Sequence, residues 1–414
     1  MLLHSAPLDT FSGGIIVSGQ TAAAAKQRRR QMTGREKIEA AMSAGGATEI
    51  PAVICYEGIY YRDRWKDVTK SPWQAAHSPV IEEQMSWRRE AAAAVGHDWY
   101  QTAPCLSLED RKHLRMDVHG DGVYRVDTRN GKAERIPEPQ KGGWSGDGRP
   151  HSVHPAVEAD TREQIDGLLL LPGEFDREKF RQDGRADLAG ALLREFGQER
   201  CPISHVGSPL WKMYGIWGYE GMMMKVAADP ELVEYAARRA LEHARRAVKE
   251  AAAIGARCIW IEECLTDQIS PASFAALNVP LVKELVSAIR REGMKSIYYY
   301  CGNPWDRWDA IEAVGADALA LEESKKGFRI DMGEVVERSG GRYTVLGNLD
   351  AVGVLEKGSE EELRLEIDRQ IRAGRRNGSR FIMSTGSPVT PDTPPERVRL
   401  YCDMVRELGS AHRC

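Results

Sequence analysis

Short apolar segments that alternate with helical segments constrain the fold of this chain most strongly. After residue 158 these apolar segments are rich in β-branched and aromatic residues, and helical segments of one to several turns separate them. This pattern is typical of βα units, in which right-handed crossovers build a parallel sheet. The predicted strands in this part lie at residues 201–206, 257–262, 295–301, 316–321, 342–346 and 380–384.

Two earlier apolar segments, residues 50–56 and 97–103, complete a set of eight predicted strands. Eight parallel strands with intervening helices favour a closed (β/α)8 TIM barrel. An open doubly wound sheet is the alternative, but it usually carries a glycine-rich phosphate turn after its first strand. The first strand here continues into Cys55–Gly58, which has no such turn, and the chain contains no P-loop motif.

Two parts of the chain differ from this pattern. Residues 1–31 are small, polar and finally basic, and we expect a flexible N-terminal tail there, with the barrel domain at 32–414. Thr33 and Glu36 form a capping-box pattern that predicts the first helix. Residues 106–157 are rich in turn signals, including Asn130-Gly131, and we expect an inserted β-hairpin region.

Charge and cysteine content restrict the class of protein. The formal net charge is −4, so no face needs to be basic and we expect no nucleic-acid partner. No segment approaches the ~18 apolar residues of a membrane span. The eight cysteines form no CxxC pair, which favours reduced thiols in a cytoplasmic protein. A homodimer is the expected assembly because dimers are the commonest one.

Chemically reactive side chains follow nearly every predicted strand, where a barrel of this kind carries its active site. Glu262 and Glu322 each follow an apolar run, and a carboxylate is costly to bury there unless it is paired or binds a metal. His205 and Cys301 have a structural alternative, as a hydrogen-bonded core histidine and a small buried thiol. The full candidate set is Tyr56, Asp98, Tyr100, His205, Glu262, Glu263, Tyr299, Cys301, Glu322, Asn348 and Ser387.

Several motifs resemble, in the same order, those of the uroporphyrinogen decarboxylase superfamily. They are Met32–Met42, Ser270–Phe274, Tyr298–Asn303, Gly315–Gly327, Val345–Asp350 and Gly386–Pro394. The resemblance covers about residues 32–410 and implies a (β/α)8 barrel. One branch of this superfamily contains the decarboxylases, and the other contains methyltransferases of corrinoid-dependent systems.

The methyltransferase branch is favoured. The decarboxylases carry an arginine-rich motif after strand one, whereas residues 56–67 contain Arg62 and Arg64 without that motif. Glutamates at the strand ends would also repel a polycarboxylate substrate. We therefore expect transfer of a methyl group between a small methylated substrate and a corrinoid protein or related acceptor. A metal-free decarboxylase acting on a small carboxylate is the alternative, and a non-enzymatic binding barrel is a third hypothesis.

The resemblance also implies roles for individual residues. Methyltransferases of this branch bind zinc through a His-x-Cys pair, a later Cys and, in some members, a Glu. Cys301 and Glu322 match two of these positions, whereas Tyr299 and Ser387 stand where the His and the second Cys would be. The resemblance thus implies Cys301 and Glu322 as metal ligands, and a rearranged site would add Glu263 or Glu262, with His205 as a further alternative. From their places at the strand ends, we expect Tyr299, His205 and Glu262 to be catalytic. The expected substrate contacts, also at strand ends, are Tyr56, Asp98, Tyr100, Asn348 and Ser387. Corrinoid would arrive on a partner protein.

Overall fold

A parallel sheet forms the centre of the protein in the computed structural model, which describes residues 31–143, 159–324 and 327–411. Seven strands pair in the order β1-β5-β6-β7-β8-β9-β10, so each strand lies beside the next one of this sheet along the chain. The strands of the described residues are β1 Trp99–Gln101, β2 Leu114–His119, β3 Gly122–Asp127, β4 Ala133–Ile136, β5 Cys201–Gly207, β6 Cys258–Glu263, β7 Lys295–Tyr300, β8 Ala318–Leu321, β9 Thr344–Leu346 and β10 Phe381–Ile382.

Helices connect the strands of the parallel sheet and surround it. The α-helices of the described residues are α1 Gly34–Ala41, α2 Glu57–Asp63, α3 Trp65–Val68, α4 Ile81–Val95, α5 Leu108–His113, α6 Arg162–Leu168, α7 Arg177–Gln182, α8 Asp187–Phe196, α9 Pro209–Lys212, α10 Tyr214–Ala228, α11 Pro230–Ala253, α12 Pro271–Leu277, α13 Val279–Arg291, α14 Trp308–Ala313, α15 Met332–Ser339, α16 Glu360–Arg376 and α17 Pro395–Ala411. Short helical turns lie at Trp73–His77, Thr266–Gln268, Trp305–Arg307 and Ala351–Glu356.

The segment around Ala52 takes the eighth position and bridges the two edges of the sheet. On one side the Asp98 amide donates to the Ala52 carbonyl at 2.8 Å. On the other side the Met383 amide donates to the Pro51 carbonyl at 3.0 Å, and the Val53 amide donates to the Met383 carbonyl at 2.9 Å. The predicted strand at 50–56 is therefore reduced to an isolated bridge, because Pro51 has no amide hydrogen to donate. The predicted TIM-barrel fold is confirmed, with seven regular strands.

The inserted region contains a separate antiparallel sheet, as its turn signals predict. Strands β2, β3 and β4 pair in that order, and Asn130-Gly131 connects β3 to β4. Gly131 has a φ of 69°, a backbone conformation that glycine adopts without strain. Residues 144–157 of the predicted insertion lie outside the described residues, as does the predicted tail apart from Gln31.

Alternation along the parallel strands separates an inner from an outer core. Trp260, Tyr299 and Ala320 belong to an inner cluster, whereas Ile261 and Tyr298 belong to a cluster between the sheet and the helices. Successive strand residues face opposite sides, so this division follows directly from the strand geometry. Among the described residues no single helix is long and apolar enough to cross a membrane, although the bent pair α12 and α13 together meets that criterion.

The first helix packs under the amino ends of the strands. Its capping box is present, since the Glu36 amide donates to the Thr33 hydroxyl at 3.2 Å and the Thr33 amide donates to the Glu36 carboxylate at 2.8 Å. Ile38 and Met42 join the inner core from this side. This closure leaves the opposite end, where the strands finish, as the end that can receive a substrate.

Candidate active site at the carboxyl ends of the strands

The register of the parallel strands brings the candidate residues of β5, β6 and β7 together. Glu262 of β6 pairs with Tyr299 of β7. His205 of β5 pairs with Trp260, which lies two residues before Glu262 on β6 and faces the same side. These residues lie on the inner side, because Trp260 and Tyr299 belong to the inner cluster. The predicted His205, Glu262 and Tyr299 therefore share one region at the carboxyl ends of the strands.

His205 and Glu262 form a polar pair at this end of the barrel. The His205 Nδ1 atom lies 3.3 Å from the Glu262 Oε1 atom. Their side chains retain 13% and 17% exposure. Both can therefore reach a molecule at the mouth, which is the open end of the barrel where the parallel strands finish. An imidazole next to a carboxylate is the usual arrangement for moving a proton.

Two thiols meet beside this pair. The Cys264 and Cys301 sulfur atoms are 3.0 Å apart, because these residues directly follow the paired positions Glu263 and Tyr300. Burial raises the pKa of the Cys301 thiol well above its ordinary value, and Cys264 and the Glu322 charge raise it further. This raised pKa favours the protonated thiol. Cys264 was not among the predicted site residues, although its place one residue after Glu262-Glu263 at a strand end could have indicated it.

Glu322 lies close to Cys301 on the inner side. It follows β8 directly and is 3% exposed. Ala318 and Ala320 of β8 belong to the inner cluster, so alternation turns Glu322 toward the same interior. Its charge raises the pKa values of Cys301 and Tyr299. The Asn348 side chain donates to the Glu322 carbonyl at 3.1 Å and fixes the backbone there.

Aromatic rings fill the interior below these polar groups. Tyr56 adopts a left-handed conformation with a φ of 52°, and its ring centroid lies 5.4 Å from His205, 5.7 Å from Trp260 and 5.6 Å from Tyr299. The Tyr299 hydroxyl donates to the Gly386 carbonyl at 2.8 Å, and burial raises its pKa well above the ordinary value. Tyr299 therefore keeps its proton and holds the loop after β10, which differs from its predicted catalytic role.

Glu263 faces the outer side, so its expected role as a metal ligand is wrong. It is fully buried and accepts hydrogen bonds from the Asn278 side chain at 2.7 Å and the Tyr298 hydroxyl at 3.0 Å. Burial raises its pKa to about 7. The physical reason is alternation: Glu262 faces the interior, and the next residue on the strand must face the helices.

Asp98 and Tyr100 do not lie at the mouth either. Asp98 precedes β1 at its amino end, accepts from the Ala52 amide at 2.8 Å and lies 3.6 Å from the Lys37 ammonium. Tyr100 faces outward and packs in a cluster with Met85 and with side chains of α8. The expectation that Asp98 and Tyr100 touch the substrate is therefore wrong, because one lies at the amino end of β1 and the other faces outward.

Ser387 and Asn348 hold backbone and side chains of the mouth in place. The Ser387 hydroxyl donates to the Glu323 carboxylate at 2.6 Å, and both residues are buried. Asn348 also donates to the Ile330 carbonyl at 3.1 Å. These contacts make the two residues positioning groups, in place of the substrate contacts that the sequence predicts.

The expected zinc ion does not fit the side chains that converge here. Cys264 and Cys301 bring two sulfur donors together and Glu322 faces the same interior, but protein zinc sites use three or four grouped ligands. No group of three His, Cys, Asp or Glu side chains within the described part of the chain is arranged to hold a metal ion. Zinc remains an expectation from the resemblance.

The comparison with protein families decides the relationship of this chain. The model of the family "Uroporphyrinogen decarboxylase (URO-D)" matches residues 150–408. The chain belongs to the URO-D family. The match covers the strands β5 to β10 and therefore the His205, Glu262, Cys301 and Glu322 positions of the candidate site.

Curated relatives of this URO-D family member are distant. A uroporphyrinogen decarboxylase of Pseudomonas fluorescens is 28% identical over 163 residues, which are 38% of this chain and 43% of that protein. A uroporphyrinogen decarboxylase of Gloeobacter violaceus is 23% identical over 257 residues, which are 60% of this chain and 70% of that protein. The chain thus spans less than half the length of the Pseudomonas relative.

A solved structure extends the similarity over almost the whole barrel. A methyltransferase from Methanosarcina mazei matches 91% of this chain and 99% of its own length, with a TM-score of 0.63 and 16% sequence identity. At that identity the likeness demonstrates a common fold and leaves the reaction to be argued from the site.

Proposed function

We propose that this URO-D family member is a methyltransferase that moves a methyl group from a small methylated substrate to an acceptor, with a corrinoid on a partner protein as that acceptor. One observation carries the proposal. Within the described residues, the inward-facing polar side chains on β5 to β8 and directly after them are imidazole, carboxylate, thiol and phenol, and the Lys212 side chain lies over Gly207 at the end of β5. Glu262 and Glu322 outnumber this single cation, so the mouth suits a neutral or cationic substrate better than a polycarboxylate.

Transfer from a neutral methyl ether, sulfide or amine requires one proton for each methyl group. The bond between the methyl carbon and its heteroatom would break as that carbon bonds to an electron pair of the acceptor, and the heteroatom would keep the electron pair of the broken bond and take up a proton. His205 is suited to donate this proton, with Glu262 3.3 Å from its Nδ1 atom to orient the ring. A general acid of this kind contributes about 10²-fold or more to the rate.

The other side chains of the mouth shape the reaction space. Tyr56, Trp260 and Tyr299 exclude water from below the polar groups through their ring contacts. Burial raises the pKa of the Cys301 thiol, which favours the protonated form as a hydrogen-bond donor or a steric contact at the mouth. The corrinoid itself would supply a strongly nucleophilic metal centre when its carrier protein docks at the mouth.

The test uses the full chain with free cob(I)alamin as acceptor and separate methyl ethers, methylamines and methyl sulfides as donors. Formation of methylcobalamin is followed spectrophotometrically, and the demethylated product is identified by mass spectrometry. We expect transfer from one donor class and a loss of about 100-fold in His205→Gln and Glu262→Gln. The matched controls His243→Gln and Glu234→Gln, on the exposed side of α11, should keep full activity.

A second candidate is a decarboxylase, because the curated relatives carry that name. Release of carbon dioxide from uroporphyrinogen or a small acid, without added metal and without methyl transfer to cob(I)alamin, would favour it and would overturn the methyltransferase proposal.

A further inference from the structure

A cavity lies beside the carboxyl end of β1, between this strand and the helices α4 and α8. It has a volume of about 610 Å³ and is enclosed by the outer face of β1, the helices α4 and α8 and the segment that follows Tyr56. Its volume falls within the range of about 300–1,000 Å³ that is usual for small-molecule sites. His205, Glu262 and Cys301 do not line it, so it is separate from the candidate active site.

Arginine side chains give this cavity its charge. Five of them line it: Arg88, Arg111, Arg125, Arg185 and Arg200. Two are paired, since Arg111 contacts Asp187 and Arg125 contacts Glu134. Arg88, Arg185 and Arg200 form no ion pair with a carboxylate among residues 31–143, 159–324 and 327–411; Arg88 donates to the Gln84 carbonyl at 2.9 Å and Arg200 to the Ala92 carbonyl at 2.8 Å.

One buried carboxyl group, that of Glu57, lines the same cavity as Arg88 and Arg200 and lies 3.1 Å from the His97 Nε2 atom. It is 6% exposed, and it accepts the Gln101 amide hydrogen at 2.7 Å. Burial raises its pKa to about 7, although the charges of Arg200 and Arg88 oppose that rise. The neighbouring His97 is neutral because burial lowers its pKa. A single, partly protonated carboxyl therefore does not balance two cations, and partly buried cations without a counter-charge are costly.

The remaining walls are apolar. Trp87, Tyr100, Leu188, Leu192 and Phe196 line the cavity between the arginines. Aromatic and branched side chains of this kind bind the apolar body of a ligand, whereas a guanidinium binds a carboxylate through two parallel hydrogen bonds. We propose that this cavity binds a carboxylate with an aromatic body, held by Arg88 and Arg200.

The test measures binding to the full chain by isothermal titration calorimetry, without any turnover. The probes are benzoate, the neutral analogue benzamide and inorganic phosphate. We expect one benzoate per chain, with benzamide and phosphate at least tenfold weaker. Arg88→Met and Arg200→Met should each weaken benzoate at least tenfold, and the control Arg372→Met, an exposed arginine of α16, should leave it unchanged.

A second variant keeps the proposal testable if loss of Arg200 disturbs folding, since this arginine also lies over the Phe196 ring at 5.9 Å. Glu57→Gln retains an acceptor for the Gln101 amide and removes the competing negative charge, so benzoate should bind several-fold tighter. Equal binding of benzoate and benzamide, preference for inorganic phosphate, or affinity that changes in none of the three variants would overturn the proposal. The experiment measures binding and not methyl transfer. A failure of benzoate to bind would therefore leave the methyltransferase proposal untouched.

Discussion

Replacing Glu263 by glutamine tests the corrected position of this residue. The carboxyl is fully buried on the outer side of β6, between Asn278 and Tyr298. Its pKa is raised by burial from 4.5 to about 7 in the folded protein. Below about pH 4.5 this carboxyl is protonated in both the folded and the unfolded state. As pH rises from about 4.5 through 7, the unfolded state loses the proton more readily than the folded state, so the folded state loses stability.

The magnitude follows from the size of that shift. Each pKa unit corresponds to about 1.4 kcal/mol, so a rise from 4.5 to about 7 makes the charged carboxylate cost about 3 kcal/mol above pH 8. In Glu263→Gln the amide oxygen can still accept from Asn278 and Tyr298, and the charge is absent. We expect the variant to exceed the wild type in free energy of unfolding by about 1–3 kcal/mol at pH 8 and to match it at pH 4.5.

The assay is urea unfolding of both proteins at several pH values, followed by circular dichroism. Glu234→Gln, which changes an exposed carboxyl of α11, is the control and should show no difference from the wild type between these pH values. A Glu263→Gln variant that is less stable than the wild type at pH 8 would refute the reasoning, because a residue needed as a charged ligand or ion-pair partner would behave in that way.

Two further predictions concern packing and the thiols. The methyl group added in Gly374→Ala would lie 2.1 Å from the Phe381 ring, so we expect the midpoint of thermal unfolding to fall by several degrees. The control Gly190→Ala, whose added methyl group has its nearest neighbour 3.5 Å away, should change this midpoint little. Because the Cys264 and Cys301 sulfur atoms are 3.0 Å apart, one phenylarsine oxide molecule should block both thiols, as counted by mass spectrometry; two separate adducts would contradict the geometry.

The candidate site could be predicted in part because strand ends of a parallel barrel meet at one face. This rule correctly brought His205, Glu262, Cys301 and Glu322 toward the same end. The same rule does not tell whether Glu263 faces the interior or the helices, because an error of one residue in a strand boundary reverses the side that each residue faces. The cytoplasmic location, the homodimer and the corrinoid partner stay predictions.

The sequence by itself determined the architecture, since apolar runs and intervening helices leave few ways to bury the strands other than a parallel barrel. Local signals also determined the capping box at Thr33 and the hairpin at Asn130-Gly131. Only the tertiary structure decided that Cys264 touches Cys301, since that contact depends on the register between two strands. Register is set by side-chain packing between elements distant in the chain, which no local pattern records.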